Sequence, residues 1–319
     1  MKTTPVLIVA YNRPVMVRKL LDSLALLAPS HIVFAVDGPK PNNPEDTLRV
    51  NETRASVEQI TWPAKIETIF RPSNLGLRNS VVDAVTQVTS NYGKAIVLED
   101  DVVVGKYFLD YVNEMLSRYE NEPRLAHING YNVVPRNQLS NSTNDNRITR
   151  YVESFAWATW HRSWKHYDTN LTWAGDCSIS HLAEQCGGLI PAAKWKMNFA
   201  DAKSERIDTW AYRWLATIWS RSWQILSPNQ NLVEYQGWAE GTHTLRKAKW
   251  KEIPIPTLWT KDSDLNCLIP LEQDYVADRW LGKTVYGESV RGIIEGLLAT
   301  NLLKIQKKFH ARDINSYTI

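Results

Sequence analysis

Short apolar runs, each followed by a segment with helical spacing, are the feature that most restricts how this chain can fold. Val6-Leu7-Ile8-Val9-Ala10 is one such run, and Pro14 then opens a segment in which Val17, Leu20, Leu21 and Leu24 share a helical face. His31 to Val36 is a second run, closed by the turn signal Asp37-Gly38-Pro39. Beyond a Pro- and Asn-rich loop, Glu45 to Gln59 reads as a polar helix, Lys65 to Phe70 as a strand and Leu77 to Val88 as a helix. Ala95-Ile96-Val97-Leu98 carries no polar residue, as a strand covered on both faces requires. The alternation predicts an α/β fold: a mostly parallel twisted sheet flanked by helices, which binds ligands at the carboxyl ends of its strands. Asp37 and Glu99-Asp100-Asp101 fall at such ends.

Phe108 to Tyr119 reads as a further helix, Ala126 to Gly130 as a short strand, and Arg136 to Asn146 as a mobile loop with almost no apolar residue. The character of the chain changes there. Of its 14 tryptophans, all but Trp62 lie after residue 150. We therefore divide it into 1–130, 131–288 and 289–319, the last a C-terminal amphipathic helix. The 319 residues, 44% of them hydrophobic, suffice for one large domain or two units sharing a cleft. The 37 basic and 34 acidic residues are dispersed, unlike the clustered basic stripe of a nucleic-acid binder, so no nucleic-acid partner is expected. Cys177, Cys186 and Cys267 show no metal or disulfide spacing. The opening Met1 to Pro5 leaves no room for a signal peptide, and no run approaches the length of a spanning helix. The expected location is the cytoplasm.

Three consecutive acids after a buried strand repel one another and raise each other's pKa unless a cation neutralises them. Hard carboxylate oxygens in that setting suit Mn²⁺ or Mg²⁺, which keep positions open for water and phosphate. An acidic turn exposed to water is the plainer alternative.

Four pieces occurring in order make the chain resemble glycosyltransferases of the GT-A fold, close in layout to N-acetylglucosaminyltransferase I and to bacterial family 2 type polysaccharide transferases. They are Ala10-Tyr11-Asn12-Arg13-Pro14, Val36-Asp37-Gly38, the Arg71 to Arg78 segment with Asn74-Leu75-Gly76, and Ile96 to Asp101. They cover about the first 130 residues, with Glu-Asp-Asp in place of the commoner Asp-x-Asp. The resemblance implies transfer of a sugar from a nucleotide-diphosphate donor, with uridine diphosphate expected, to a glycan or lipid-linked saccharide in bacterial surface polysaccharide synthesis. It further implies that Asp101 is the direct metal ligand, Asp100 lies near the ribose or diphosphate, and Glu99 faces the donor sugar. Tyr11, Asn12, Arg13, Asp37 and Asn74 would hold the nucleoside, and Arg71 and Arg78 the base or phosphates. An aromatic ring can stack on a base and an arginine can grip a phosphate, so the chemistry agrees.

In the second half, Phe155 to Trp164 is too aromatic for a surface and too polar for a simple core. Aromatic faces stack on sugar rings, which makes Trp157 and Trp160 expected cleft walls, with Asn129 beside them. A tryptophan-rich core around a helix is the rival reading. Asp208-Thr209-Trp210 begins a helix, with Asp208 suited to an N-cap. In the resembling transferases, an acid followed by a tryptophan at such a place faces the donor sugar. That makes Asp208 the expected base, Trp210 a sugar contact, and Asp201 and Glu205 the rivals. His243, in Gly241-Thr242-His243, matches a late segment that completes the metal shell or contacts the diphosphate, although Tyr235-Gln236-Gly237-Trp238 departs from the apolar segment expected before it. Between Ser289 and Arg312, Ile293, Ile294, Leu297, Leu298, Leu302 and Ile305 oppose Lys304, Lys307, Lys308 and Arg312. Such a helix can lie on the inner face of an anionic membrane or pack on its own domain.

Two competing functions remain. A sugar-1-phosphate nucleotidyltransferase needs a glycine-rich loop after the first strand, which Tyr11 to Pro14 lacks. A non-catalytic carbohydrate-binding protein would need only the tryptophans.

Overall fold

The computed structural model describes residues 4–142, 145–237 and 272–298. The apolar runs form β1 (Val6–Ala10), β2 (His31–Val36), β3 (Lys65–Phe70) and β4 (Lys94–Glu99). Between them lie α1 (Pro14–Ala25), α2 (Pro44–Ala55) and α3 (Leu77–Tyr92). Proline opens both α1 and α2, where its missing N–H leaves no bond unmade. The Asn43 side chain caps α2 by accepting from Asp46 N at 3.0 Å, and α3 stops at Gly93, whose φ of 81° suits glycine. β1 and β2 are buried along their length, whereas β3 is exposed or half-exposed throughout, as a sheet edge allows.

The chain continues through β5 (Val102–Val104), α4 (Phe108–Arg118), β6 (Leu125–Asn129), β7 (Asn146–Thr149) and β8 (Ala156–Trp160). There follow α5 (His161–Trp164), α6 (Thr172–Asp176), α7 (Ile179–Cys186), α8 (Leu189–Lys203) and α9 (Ala211–Ser220). Last come β9 (Gln224–Pro228), β10 (Val233–Tyr235), α10 (Tyr275–Thr284) and a helical stretch over 290–298. The segment read as a loop to residue 146 contains a short turn at Arg136–Gln138 and gives way to β7 at Asn146.

Eight strands form one sheet in the order β3-β2-β1-β4-β8-β6-β9-β7, and β5 pairs with β10 in a separate ribbon. The pairs β1–β2, β1–β4, β2–β3 and β6–β9 are parallel; β8 runs against both β4 and β6, and β7 against β9. The fold is therefore α/β, with a large, mostly parallel mixed sheet flanked by helices. β8 joins the halves through Leu98↔Ala156 on one side and Asn129↔Trp157 on the other, so the sheet crosses the boundary drawn at residue 130.

Most of the described tryptophans are core: Trp157, Trp160, Trp164, Trp195, Trp210, Trp214 and Trp219 are buried, and Trp62, Trp173, Trp223 and Trp280 pack against that core half-buried. Trp157, Trp164, Trp195 and Trp214 are among the largest fully buried side chains, and Trp164 lies 4.8 Å from Trp214 and 5.5 Å from Trp157 between ring centroids. The rival reading, a tryptophan-rich core, fits their burial, although the segment begins as β8 and not as a helix. Each ring buried contributes about 4–6 kcal/mol of gross hydrophobic stabilisation before entropy is counted.

Candidate functional site

Because β1, β2, β3 and β4 are parallel, their carboxyl ends and following loops meet on one edge of the sheet. Glu99-Asp100-Asp101 stands there, with Asp100 and Asp101 buried and Glu99 partly so. Arg13 Nη1 donates to Asp100 Oδ1 at 3.0 Å and to Asp101 Oδ2 at 2.9 Å. Tyr11 N reaches Asp100 Oδ2 at 3.4 Å, and Trp210 Nε1 donates to Glu99 Oε1 at 3.3 Å. Asp101 Oδ1 is buried and has no hydrogen-bond partner among the described residues.

Three carboxylates thus share one guanidinium. Burial pushes Glu99 well above the usual carboxylate range, and the charges of Asp101 and Asp100 add to it. Burial also raises Asp100, against the pull of Arg13. Asp101 is pushed up to about 7 by burial and the neighbouring Asp100, with Arg13 opposing. Among the described residues no three His, Cys, Asp or Glu side chains converge on one metal position. The donor set nevertheless fits a hard divalent cation: such ions take one or two carboxylates and fill their shell with water and substrate phosphate. The orphaned Asp101 oxygen supplies such a ligand.

The loop after β1 is committed more internally than the sequence suggests. Tyr11 donates its hydroxyl to Asp46 Oδ2, and Asn12 Nδ2 donates to Asp46 Oδ1 at 2.6 Å. Lys40 N adds a third bond to the same carboxylate at 2.7 Å. Burial works to raise the Asp46 pKa, but the bonds from Tyr11, Lys40 N and Asn12 outweigh it and hold the group below its usual value. Asp46 escaped the sequence reading because an acid in the first turn of a helix looks like ordinary dipole compensation.

Asp37 also has a different task from the one expected. It accepts from Gly38 N (2.8 Å), Leu75 N (3.0 Å), Gly76 N (3.1 Å) and Asn74 Nδ2 (3.0 Å), stapling the loop after β2 to the loop after β3. Asp37 and Asn74 are therefore loop-builders in this structure. The staple demands close approach: a Cβ on Gly38 would lie 2.3 Å from the Ser73 carbonyl carbon. Arg71 pairs with Asp83, while Arg78 Nη2 donates to Glu205 Oε1 at 3.1 Å and its Nε lies 3.9 Å from Asp208 Oδ1.

Asp208 is brought to this edge from the second half of the chain. Its side chain is 52% exposed, and its Oδ2 would lie 3.5 Å from a Cβ on Gly76. It does not cap α9: Trp210 occupies the cap position, and Thr209 Oγ1 accepts from Ala211 N at 3.2 Å. Of the rivals, Asp201 pairs with Arg206 and Glu205 with Arg78. Trp210 is buried and pinned three ways. Besides its bond to Glu99, its carbonyl accepts from Tyr167 Oη at 3.1 Å and its ring lies on Trp157 at 4.8 Å.

The expected cleft walls are corrected by burial. Trp157 is 0% exposed, stacked between Trp210 and His127, and Trp160 is 2% exposed with its Nε1 bonded to Leu116 O. Asn129 is likewise internal, donating to Tyr151 O at 3.1 Å and accepting from Glu153 N at 2.8 Å. Rings in β8 point into the core because both faces of that central strand are covered, which aromatic content alone does not reveal.

The β5–β10 ribbon supplies neighbours that the sequence did not indicate. Tyr235 pairs with Val102, Gln236 N donates to Asp101 O at 2.8 Å, and a Cβ on Gly237 would lie 2.5 Å from Asp101 Oδ2. No local signal marks them, because an antiparallel pairing across more than a hundred residues creates the proximity. His243 lies outside the described residues. Neither a scan against protein-family models nor a search of curated proteins finds a match to this chain.

Proposed function

We propose that this protein is a metal-dependent, inverting glycosyltransferase that moves a sugar from a nucleotide-diphosphate donor, with uridine diphosphate the first candidate, to a hydroxyl of a glycan or lipid-linked saccharide. One observation carries the reading: a buried carboxylate triplet at the carboxyl edge of the sheet, which among the described residues is short of positive charge and leaves Asp101 Oδ1 unbonded. A bound Mn²⁺ or Mg²⁺ would neutralise the diphosphate and polarise its bond to the sugar. Asp101 is the residue to hold it, with Asp100 beside it.

The chain's own groups supply the remaining chemistry. Arg13 holds Asp100 and Asp101 in place, while Glu99, fixed by the Trp210 indole, faces the donor sugar. Asp208, two residues before that anchored tryptophan, offers an exposed carboxylate at the rim. There it takes the proton of the acceptor hydroxyl as that oxygen attacks the anomeric carbon. The anomeric carbon–phosphate oxygen bond breaks on the opposite face, its electron pair leaving with the nucleoside diphosphate, and the configuration inverts. A non-catalytic carbohydrate binder draws less support from the tryptophans at 157, 160, 164, 195, 210, 214 and 219, which are all buried, than from the half-buried Trp62, Trp173, Trp223 and Trp280.

The test is release of nucleoside diphosphate from a panel of sugar nucleotides, with Mn²⁺ and with chelator. Metal-dependent release from one donor is expected, lost in Asp101→Asn. Asp208→Asn should keep nucleotide binding and lose transfer by about 10²–10⁴-fold. Absence of both turnover and nucleotide binding across the panel would sink the proposal.

A further inference from the structure

A second region, built from α8, α10 and the 290–298 helix, invites a separate reading. Ile190, Tyr275 and Val290 meet around a cavity of about 540 Å³ that Arg150, Arg279 and Lys283 also line. The 290–298 helix is turned unusually. Gly292 and Gly296 lie on its inner side: a Cβ on Gly292 would meet Gly287 O at 2.1 Å, and one on Gly296 would meet the Met197 methyl at 3.1 Å. Val290, Ile294, Leu297 and Leu298 face outward at 59%, 52%, 51% and 58% exposure. Beside the half-buried Ile293, both glycines thus pack inward while four large aliphatic side chains face out, an unfavourable arrangement for a helix meant to lie against water.

Ile190 at the start of α8 and Tyr275 at the start of α10 line the cavity with Val290, and beside them in sequence Leu189 and Val276 are exposed as well. Exposed apolar surface of this kind marks a contact site. Its charge identifies the contact. Arg279 and Lys283 stand one turn apart on α10, both exposed, at the mouth of the cavity. The acids nearby are already engaged: Asp278 with Thr149, Arg150 and Gln273, and Glu288 with Tyr151 and Trp195. Beyond residue 298 the sequence adds Lys304, Lys307, Lys308 and Arg312.

We propose that this face docks on an anionic lipid bilayer, with Val290, Ile294, Leu297 and Leu298 entering the interface and a lipid phosphate seated between Arg279 and Lys283. An aliphatic stripe beside basic side chains is the arrangement that adds apolar burial to attraction for anionic headgroups. A phosphate pocket rimmed by apolar side chains fits a headgroup in a membrane better than free phosphate in water. The inference is independent of the transferase reading.

Sedimentation of the full chain with vesicles provides the test. Vesicles of phosphatidylcholine with one-third phosphatidylglycerol should carry the protein down, and pure phosphatidylcholine vesicles should carry far less. Arg279→Gln with Lys283→Gln should weaken binding about 25-fold, since each basic residue near such a surface counts for about fivefold. Ile294→Ser with Leu297→Ser should weaken it on both kinds of vesicle, and unchanged melting curves would show that both variants remain folded. Excess inorganic phosphate should not release the protein. Equal sedimentation with and without phosphatidylglycerol, release by inorganic phosphate, or a dimer in solution that the Ile294 and Leu297 changes dissociate would each overturn the proposal.

Discussion

The molecule buries two groups of three carboxylates, and it treats them in opposite ways. Near α10, Asp274 accepts from Ser140 N and Oγ, Val276 N and Ala277 N; Asp278 is held by Thr149, Arg150 and Gln273; and Glu288 accepts from Tyr151 Oη at 2.7 Å and Trp195 Nε1 at 2.6 Å. At the end of β4, among the described residues, Glu99, Asp100 and Asp101 share the Arg13 guanidinium, the Trp210 indole and the backbone N–H groups of Tyr11, Asp100 and Asp101, and an Asp101 oxygen is left over. Buried polar groups are ordinarily bonded, so the first cluster is accounted for by its own partners, whereas the second fits the metal ligation proposed for it. Acid content alone would not separate them; counting what each oxygen accepts does.

The sharpest way to break the comparison is to remove one acid from each cluster. Asp101→Asn should lower metal-dependent transfer by about 10³–10⁴-fold, on the order of 4–5 kcal/mol in the barrier, with the fold intact by circular dichroism. Asp278→Ala should do the converse. Stranding Arg150 and Thr149 should cost about 3–5 kcal/mol in denaturant unfolding, with activity per folded molecule preserved. If Asp101→Asn unfolds the protein instead, the β4 cluster is structural after all.

Metal and pH sharpen the same contrast. Mn²⁺ at a hundredfold above its dissociation constant should stabilise the native protein at neutral pH by about 2.7 kcal/mol, read as a rise in melting temperature. The folded Asp101 carboxyl, with its pKa raised to about 7, binds its proton more tightly than the unfolded one does. Its ionisation therefore costs stability: the metal-free protein should lose stability as pH rises from about 4 towards 7. Asp101→Asn should flatten that slope, and the Mn²⁺ effect should shrink at pH 5, where the acid holds its proton. A Mn²⁺ effect independent of pH, or still present in Asp101→Asn, would place the ion elsewhere.

The smallest expected effect concerns Arg71. If its partner is only the half-exposed Asp83, Arg71→Gln should change stability by about 0–1 kcal/mol and leave the donor KM alone. A rise in donor KM without loss of stability would instead restore the phosphate-binding role that the sequence suggested.

What was legible in the sequence follows from how local its cause is. The strand runs of the first hundred residues and the placing of Glu99-Asp100-Asp101 at a strand end depend on neighbours within a few positions, and the structure has them there. Side-chain direction depends on what lies across the sheet. Trp157 and Trp160 looked like sugar platforms until β8 was placed between β4 and β6, where both faces are covered. Asp37 looked free because its four donors come partly from a loop nearly forty residues later. Gly237 beside Asp101 needed the pairing of β5 with β10, which no periodicity announces.

The continuous sheet also fixes what can be detached. Cutting the chain at residue 130 would strip β8 from β4 and leave β6 without either of its partners, breaking three pairings of the large sheet and exposing strand edges that invite aggregation. The stretches before and after residue 130 are therefore not separable modules: recombination has to carry the whole sheet.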